Sequence, residues 1–114
     1  MNETSIEVAA PEHKPTAPLT ADPDAQALAE RIARLAWDKK GGDIRVLAVY
    51  ELVNYTDFFV VVDARSDRQV AAISGHIEDT LREEGSKPLS VEGTEKNQWV
   101  ILDYGAVVVH VFFE

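Results

Sequence analysis

The segment Trp99–Phe112 combines a strongly apolar pattern with four side chains that could do chemistry. These are Trp99, Asp103, Tyr104 and His110, which offer an indole N–H, a carboxylate, a phenol and an imidazole. Two apolar strands joined by a turn need none of these groups. Aromatic residues with a polar tip are enriched in protein interfaces, so Trp99 and Tyr104 fit a binding surface as well as they fit the edge of a core.

His110 is a candidate metal ligand. Strict alternation in its strand places it on one face with Val108 and Phe112, and places the remaining strand residues on the other face. The acidic residues that could converge on it are Asp57, Asp63 and Asp103. Their spacing matches no metal-ligand pattern, so we interpret His110 as a hydrogen-bonded structural residue and expect no metal and no cofactor.

Covalent catalysis and phosphate binding find little support in the residue types. The chain has no cysteine, and Ser66 is explained as a helix cap. Ser74 and Ser90 have no base in a recognisable relation to them. The pair Gly41-Gly42 precedes a strand rather than a helix, which is the reverse of a phosphate-binding loop.

The net charge indicates the kind of partner. The 114 residues are enough for one domain, and 20 acids against 11 bases give −9. Four acids and one base in residues 1–22 account for −3, which leaves −6 for the rest of the chain. An acidic domain is repelled by phosphate backbones, so we expect no direct nucleic-acid binding and favour a basic protein partner. Alternatively, the acidity only keeps the protein soluble.

The chain shows no targeting signal. No run approaches the ~18 apolar residues of a membrane span, and the N-terminus lacks the basic start and apolar stretch of a signal peptide. We therefore expect a cytoplasmic protein that does not contact membranes. Residues 1–21 contain three prolines among Ala, Thr and Glu, and this composition predicts a disordered tail.

Two helices are predicted from their caps. Asp22 is a good N-cap with Pro23 at the first helical position, and the helix ends at Gly41-Gly42. Ser66 begins the second helix with a capping box completed by Gln69.

Five strands are predicted around these helices. They are Ile44–Tyr50, Phe58–Val62, Leu89–Glu92 and the two strands on either side of a type II′ turn at Gly105-Ala106. The continuous apolar run Phe58–Val62 indicates a strand buried on both faces. The order α-β-β-α-β-β-β predicts an α/β fold with a mixed five-stranded sheet. In this sheet the strands flanking the second helix form a parallel pair, and the last two strands form an antiparallel hairpin.

Four separated blocks resemble the ribosomal silencing factor family, also called Iojap-like. The blocks are Asn54–Val60, Ser66–Gln69, Glu92-Gly93, and Trp99–Gly105 with Val107–Phe112. The similarity runs from about residue 24 to residue 113. The resemblance implies a nucleotidyltransferase-like fold without an established catalytic role. It also implies binding to the large ribosomal subunit through its fourteenth protein, a basic protein at the subunit interface, where the bound factor blocks joining of the small subunit and represses translation when nutrients are scarce.

The resemblance also bears on individual residues and on assembly. The partner-binding candidates are Trp99, Asp103, Tyr104, His110, Asp57 and Glu92. A homodimer is implied. The chain departs from the family at Gly105-Ala106, where Gly-Asp is usual, and at Asp63-Ala64, where Thr-Gly is usual. The family continues beyond the position of Glu114 through a further helix. We therefore expect the domain at residues 22–114 to lack that helix and to leave apolar sheet surface uncovered.

Two alternatives stay open beside this non-enzymatic binding function. One is a magnesium-dependent nucleotidyltransferase-like enzyme that uses Asp57 and Asp103. Such an enzyme needs Gly-Ser at a helix start and two acids one residue apart on a strand, and neither feature occurs at the predicted elements. The other alternative is a dimeric scaffold with no ribosomal role.

Overall fold

The structure, a computed structural model, describes residues 4–8 and 22–113. Two helices, α1 (Pro23–Asp38) and α2 (Asp67–Glu83), accompany one sheet. The strands are β1 (Thr4–Val8), β2 (Ile44–Ala48), β3 (Phe58–Ala64), β4 (Ser90–Glu92), β5 (Trp99–Asp103) and β6 (Val107–Phe113). Neither helix in the described ranges is long and apolar enough to cross a membrane.

The sheet is mixed, as predicted, and its strands lie in the order β1-β2-β3-β6-β5-β4. The antiparallel hairpin of β5 and β6 is confirmed. The prediction of a neighbouring parallel pair around α2 is wrong, because β6 and β5 lie between β3 and β4. The parallel neighbour of β3 is instead β6. These two strands are each seven residues long, so pairing them at the centre buries more backbone than pairing either one with the three-residue β4.

The first strand corrects the prediction of a disordered tail. Thr4–Val8 pairs in parallel with β2, from Thr4 opposite Ile44 to Val8 opposite Ala48, and makes a sixth strand. A short extended segment can satisfy the backbone hydrogen-bonding groups along the otherwise open edge of β2, which composition alone does not reveal. The rest of the predicted tail, at residues 1–3 and 9–21, lies outside the described residues.

Both helices begin as predicted. Asp22 Oδ1 accepts a hydrogen bond from Asp24 N at 3.0 Å, and Ser66 Oγ accepts one from Gln69 N at 3.1 Å. Helix α1 ends before Gly41, where an added Cβ would lie 2.9 Å from Val62 Cγ1. A glycine is therefore needed for the close packing of this turn on β3.

The helices pack against one face of the sheet only. They contact each other, and their apolar faces share one core with alternate strand residues. Phe58, Val60 and Val62 are buried in that core, whereas Phe59 and Val61 on the opposite face are partly exposed. The prediction that this strand is buried on both faces is therefore wrong, because no described element covers the second face.

Candidate functional site: the open face of the sheet

The sheet face that points away from α1 and α2, called the open face below, has an apolar centre. The strand registers bring together Leu47, Phe59, Val61, Trp99, Ile101, Val108, His110 and Phe112. The alternation predicted for β6 is confirmed, because His110 and Phe112 are partly exposed on this face while Val109 and Val111 are buried in the core. A shallow cavity of about 340 Å³ lies among Phe59, Val61, Trp99, His110 and Phe112.

Trp99 and His110 are hydrogen-bonded to each other within this apolar centre. Trp99 Nε1 donates a hydrogen bond to His110 Nδ1 at 3.1 Å, so the proton of the neutral imidazole lies on Nε2. The Phe59 ring meets the imidazole edge-to-face at 5.4 Å between centroids. Burial lowers the pKa of His110 from its ordinary value of 6.5. The centre of the open face is therefore uncharged at neutral pH.

Carboxylates surround this centre. Register places Glu92 beside Ile101, Asp103 beside Val108 and Asp63 beside Phe112. Arg45 is the cation that β2–β6 contribute to this face, and Asp43 Oδ2 lies 3.1 Å from its Nε. The open face thus presents an apolar centre inside an acidic margin.

Tyr104 lies on the other side of the sheet. Its ring packs against the core, and burial raises the pKa of the phenol to about 12, with Glu78 adding to the rise and Arg82 opposing it. Both of these charged residues belong to α2. The buried Tyr104 hydroxyl has no hydrogen-bond partner among the described residues. Tyr104 therefore does not join Trp99 and His110.

Asp103 has a structural contact at the hairpin turn. Its Oδ1 accepts a hydrogen bond from Gly105 N at 2.8 Å, and Gly105 has a φ of +85°, which glycine adopts without strain. The glycine-first placement of the turn is confirmed. The two-residue length is also confirmed, because Tyr104 N donates to Val107 O at 2.8 Å across Gly105-Ala106. Within the loop Ala106 N donates to Tyr104 O at 3.1 Å, a γ-turn contact centred on Gly105.

Asp57 is not brought into a pair with Asp103. Asp57 N donates to Ala106 O, and Asp57 O accepts from Val49 N, both at 2.9 Å, where β3 begins. Strand β6 runs between β3 and β5, so the two backbones lie two strand spacings apart, roughly 10 Å. Within residues 22–113 no group of three or more metal-ligating side chains converges. The arrangement therefore offers no magnesium pair built from these two carboxylates.

Sequence reasoning missed Phe59, Val61 and Phe112 as members of this site. Phe59 and Val61 were hidden within a run of five apolar residues that was interpreted as doubly buried. The signal available in the sequence was His110, a polar residue within the apolar final strand. The structure places it opposite Val61. A histidine beside a valine on one face indicates that the face is not a closed core.

Comparison with known proteins agrees with this architecture. A sequence model described as "Ribosomal silencing factor during starvation" matches residues 22–114. The chain is 42% identical over 100 residues to chloroplastic protein Iojap of Zea mays, covering 86% of this chain and 43% of the maize protein. It is 39% identical over 75 residues to Ribosomal silencing factor RsfS of Bacillus subtilis (strain 168), covering 66% of this chain and 64% of that protein.

A crystal structure of a Chromobacterium violaceum protein has a TM-score of 0.76 and 32% identity, and the match covers 78% of this chain and 74% of that chain. The present chain spans less than two thirds of the length of the two curated relatives above. The likeness to nucleotidyltransferases stays a prediction. The family match extends over both helices and β2–β6, and so includes every strand that builds the described open face; this chain belongs to the ribosomal silencing factor family.

Proposed function

We propose that the open face binds a basic protein of the large ribosomal subunit, and that this is the fourteenth protein of that subunit, as the family resemblance implies. The bound chain would block joining of the small subunit and so repress translation under nutrient limitation. In this proposal the protein acts in the cytoplasm by occupying a surface, without catalysis.

The exposure of Trp99 is the observation that carries the proposal. Its side chain is 59% exposed although it lies beside Phe112 and His110 in an apolar cluster. Tryptophan is enriched among the residues that dominate interface binding energy, particularly when it fills a pocket surrounded by other contacts. A contiguous exposed apolar face is uncommon on a monomer and marks an interaction surface.

The acidic margin supports a basic partner. Glu92, Asp103 and Asp63 flank the apolar centre, and the charge of Arg45 is offset by Asp43. Complementary charge at the margin of an interface speeds association and selects the partner, while the apolar centre provides most of the affinity. We propose that Trp99 and His110 contact the partner through the centre and that Glu92 and Asp103 contact it at the margin. Tyr104 is not part of this surface.

Co-sedimentation with purified large ribosomal subunits tests the proposal. The chain should pellet with the subunits at low salt. Trp99→Ala should weaken binding by about 2 kcal/mol or more, which is roughly a thirtyfold rise in Kd. Leu52→Ala is the control for loss of an exposed apolar side chain, because Leu52 is 56% exposed and lies in the loop between β2 and β3, at the other end of the sheet from Trp99. A chain that does not pellet, or equal losses in the two variants, would overturn the proposal.

A subunit-joining assay tests the mode of action. Adding the chain to large subunits before small subunits should reduce the yield of joined ribosomes in a sucrose gradient, and Trp99→Ala should reduce this effect in proportion to its weaker binding. If the chain binds large subunits but does not reduce joining, the proposed partner is retained and the proposed blocking function is rejected.

A homodimer also belongs to the proposal, as the resemblance implies. Sedimentation velocity over a range of concentrations measures it. If two copies pack through their open faces, Trp99→Asp should yield monomers, because a carboxylate would be buried in the apolar centre. If the dimer survives that substitution, it uses another surface and leaves the open face free for the ribosomal partner.

A further inference from the structure

A second surface of the protein carries the opposite charge. Four cationic side chains, Lys39, Lys40, Arg65 and Arg68, line a groove of about 400 Å³ together with Ser66, Gln69 and Ala72. We call this the cationic groove. All four side chains are exposed. It lies between the end of α1 and the start of α2.

The four cations have no acidic partner among the described residues. By contrast, Arg31, Arg45 and Arg82 each form an ion pair with a nearby carboxylate. No acidic residue lines the groove. Two carboxylates lie near the groove: Asp38, which lines an adjoining cavity with Lys40 and Arg65 and lies 3.7 Å from His76, and Asp67, in the first turn of α2. Neither forms an ion pair with a groove cation among the described residues, so a chain with almost twice as many acids as bases keeps four unpaired cations together here.

One side chain holds the groove together. Gln69 Oε1 accepts a hydrogen bond from Arg65 N at 2.7 Å, and Gln69 Nε2 donates to Lys40 O at 2.8 Å and to Lys39 O at 3.3 Å. Only the serine half of the predicted capping box forms, because Gln69 bonds to the N–H of Arg65 rather than to that of Ser66. The Gln69 side chain instead ties the end of α1 to the segment before α2. This contact fixes the backbone from which Lys39, Lys40 and Arg65 project.

The helix dipoles favour the positions of only two of the four groove cations. Lys39 and Lys40 follow the C-terminus of α1, where cations offset the negative end of the helix dipole. Arg65 and Arg68 flank Ser66 at the N-terminus of α2, where the dipole already disfavours positive charge. These two arginines raise the positive potential of the groove and so lower the stability of the isolated chain. A bound anion would offset this electrostatic repulsion.

We propose that the cationic groove binds the phosphodiester backbone of RNA. Two guanidinium groups suit phosphate oxygens because each can donate two parallel hydrogen bonds, and the lysines add point charges along the same groove. The net charge of the whole chain does not prevent this contact, since charges beyond about 10 Å are largely screened at 0.1 M salt. This binding goes beyond the proposed function, which concerns a protein partner at the open face.

The groove lies at the same end of the sheet as Trp99. Asp63 stands opposite Phe112, which stands opposite Trp99, and Arg65 lies two residues beyond Asp63. The strands that carry Trp99 and Asp63 are separated by two strand spacings, roughly 10 Å. A ribosomal particle that presents protein and RNA side by side can therefore contact the open face and the groove together.

Fluorescence anisotropy with a labelled 20-base-pair RNA duplex of arbitrary sequence tests the groove directly. The double variant Lys39→Gln with Arg68→Gln removes two groove charges. The matched control, Lys87→Gln with Arg34→Gln, removes one lysine and one arginine that are also exposed and lack an ion pair among the described residues.

At 50 mM salt the groove variant should bind the duplex at least tenfold more weakly than the unaltered chain. The plot of log K against log salt has a negative slope, and its magnitude should decrease by about 0.9 for each phosphate that the variant no longer neutralises. The control variant should stay within threefold of the unaltered chain. Equal losses in the two variants would show a response to net charge alone and would overturn the proposal. Displacement of the duplex by polyglutamate, added at the same concentration of negative charges as the RNA, would also overturn the proposal, because it would indicate a site for acidic peptides.

The same variants separate this inference from the proposed function. Trp99→Ala should leave the affinity for the duplex unchanged while it weakens binding to large subunits. The groove variant should weaken both. If the chain binds the duplex through the groove but does not pellet with subunits, the open-face proposal fails and the groove proposal stands. If it pellets but no groove variant changes its affinity for RNA, the groove proposal fails alone.

Discussion

The two faces of the sheet are built from the same strands but differ in burial. On the covered face Val46, Val60 and Val109 have no exposed surface, because α1 and α2 pack against them. On the open face His110, the residue after Val109 in β6, accepts a hydrogen bond from the exposed indole of Trp99 in the neighbouring strand β5. Because side chains alternate with a period of two, each of these strands buries one set of side chains in the core and leaves the alternate set partly exposed on the open face.

Adjacent phenylalanines give the largest expected difference between the faces. Phe58→Ala should lower the free energy of unfolding by about 3–5 kcal/mol, because it empties a core position that is 1% exposed. Phe59→Ala removes a partly exposed ring on the open face and should cost about 1 kcal/mol. Urea denaturation measures both. Equal losses would mean that the open face is covered in solution and that the comparison is wrong.

Tyr104 offers a smaller test, on the helix side. Its hydroxyl is buried without a hydrogen-bond partner among the described residues. Tyr104→Phe removes this group and should leave the free energy of unfolding unchanged or raise it by about 1 kcal/mol. Binding to large subunits should not change in this variant. A clear loss of binding would return Tyr104 to the partner surface where sequence reasoning placed it.

The smallest effect concerns the protonation of His110. Because burial holds the pKa of His110 below its ordinary 6.5, the unfolded chain takes up the proton first as the pH falls. The stability linked to this group is complete above pH 6.5 and declines as the pH drops through the interval between the two pKa values. The charged imidazole also cannot accept the Trp99 N–H. Binding involves the folded chain, so subunit binding should weaken at lower pH still, as the pH falls to and below the lowered pKa of His110 in the folded protein.

His110→Gln is the control for this pH dependence, because it keeps a polar group that does not titrate. The difference in free energy of unfolding between the two proteins, measured by urea denaturation from pH 7.5 to pH 5, isolates the histidine. A parallel decline in both proteins would assign the pH dependence to other groups.

Much of the fold could be predicted because its signals are local. Asp22 and Ser66 cap the helices through backbone groups two or three residues away, and Gly105 permits the turn of the hairpin by its own φ angle. The alternation around His110 follows from strand geometry alone. These features depend on neighbours in sequence, so a single chain reveals them.

The parts that failed depend on distant segments. Strand β1 exists because β2 has a free edge, and Thr4–Val8 lies far from β2 in sequence. The separation of Trp99 from Tyr104 follows from the alternation only once the side that the helices cover is known. Two helices could flank a sheet on one side or on both, and no local pattern distinguishes these arrangements.

By itself, the sequence determined the helices, the hairpin, the acidic balance and the family, because caps, alternation and motif blocks are properties of the chain order. Only the tertiary structure decided which residues share the open face. The packing of α1 against α2 on a single face leaves Trp99, His110 and Phe59 exposed together, and Gln69 joins two helix ends so that four dispersed cations share one groove. Both arrangements arise from contacts between segments far apart in sequence, which residue spacing does not encode.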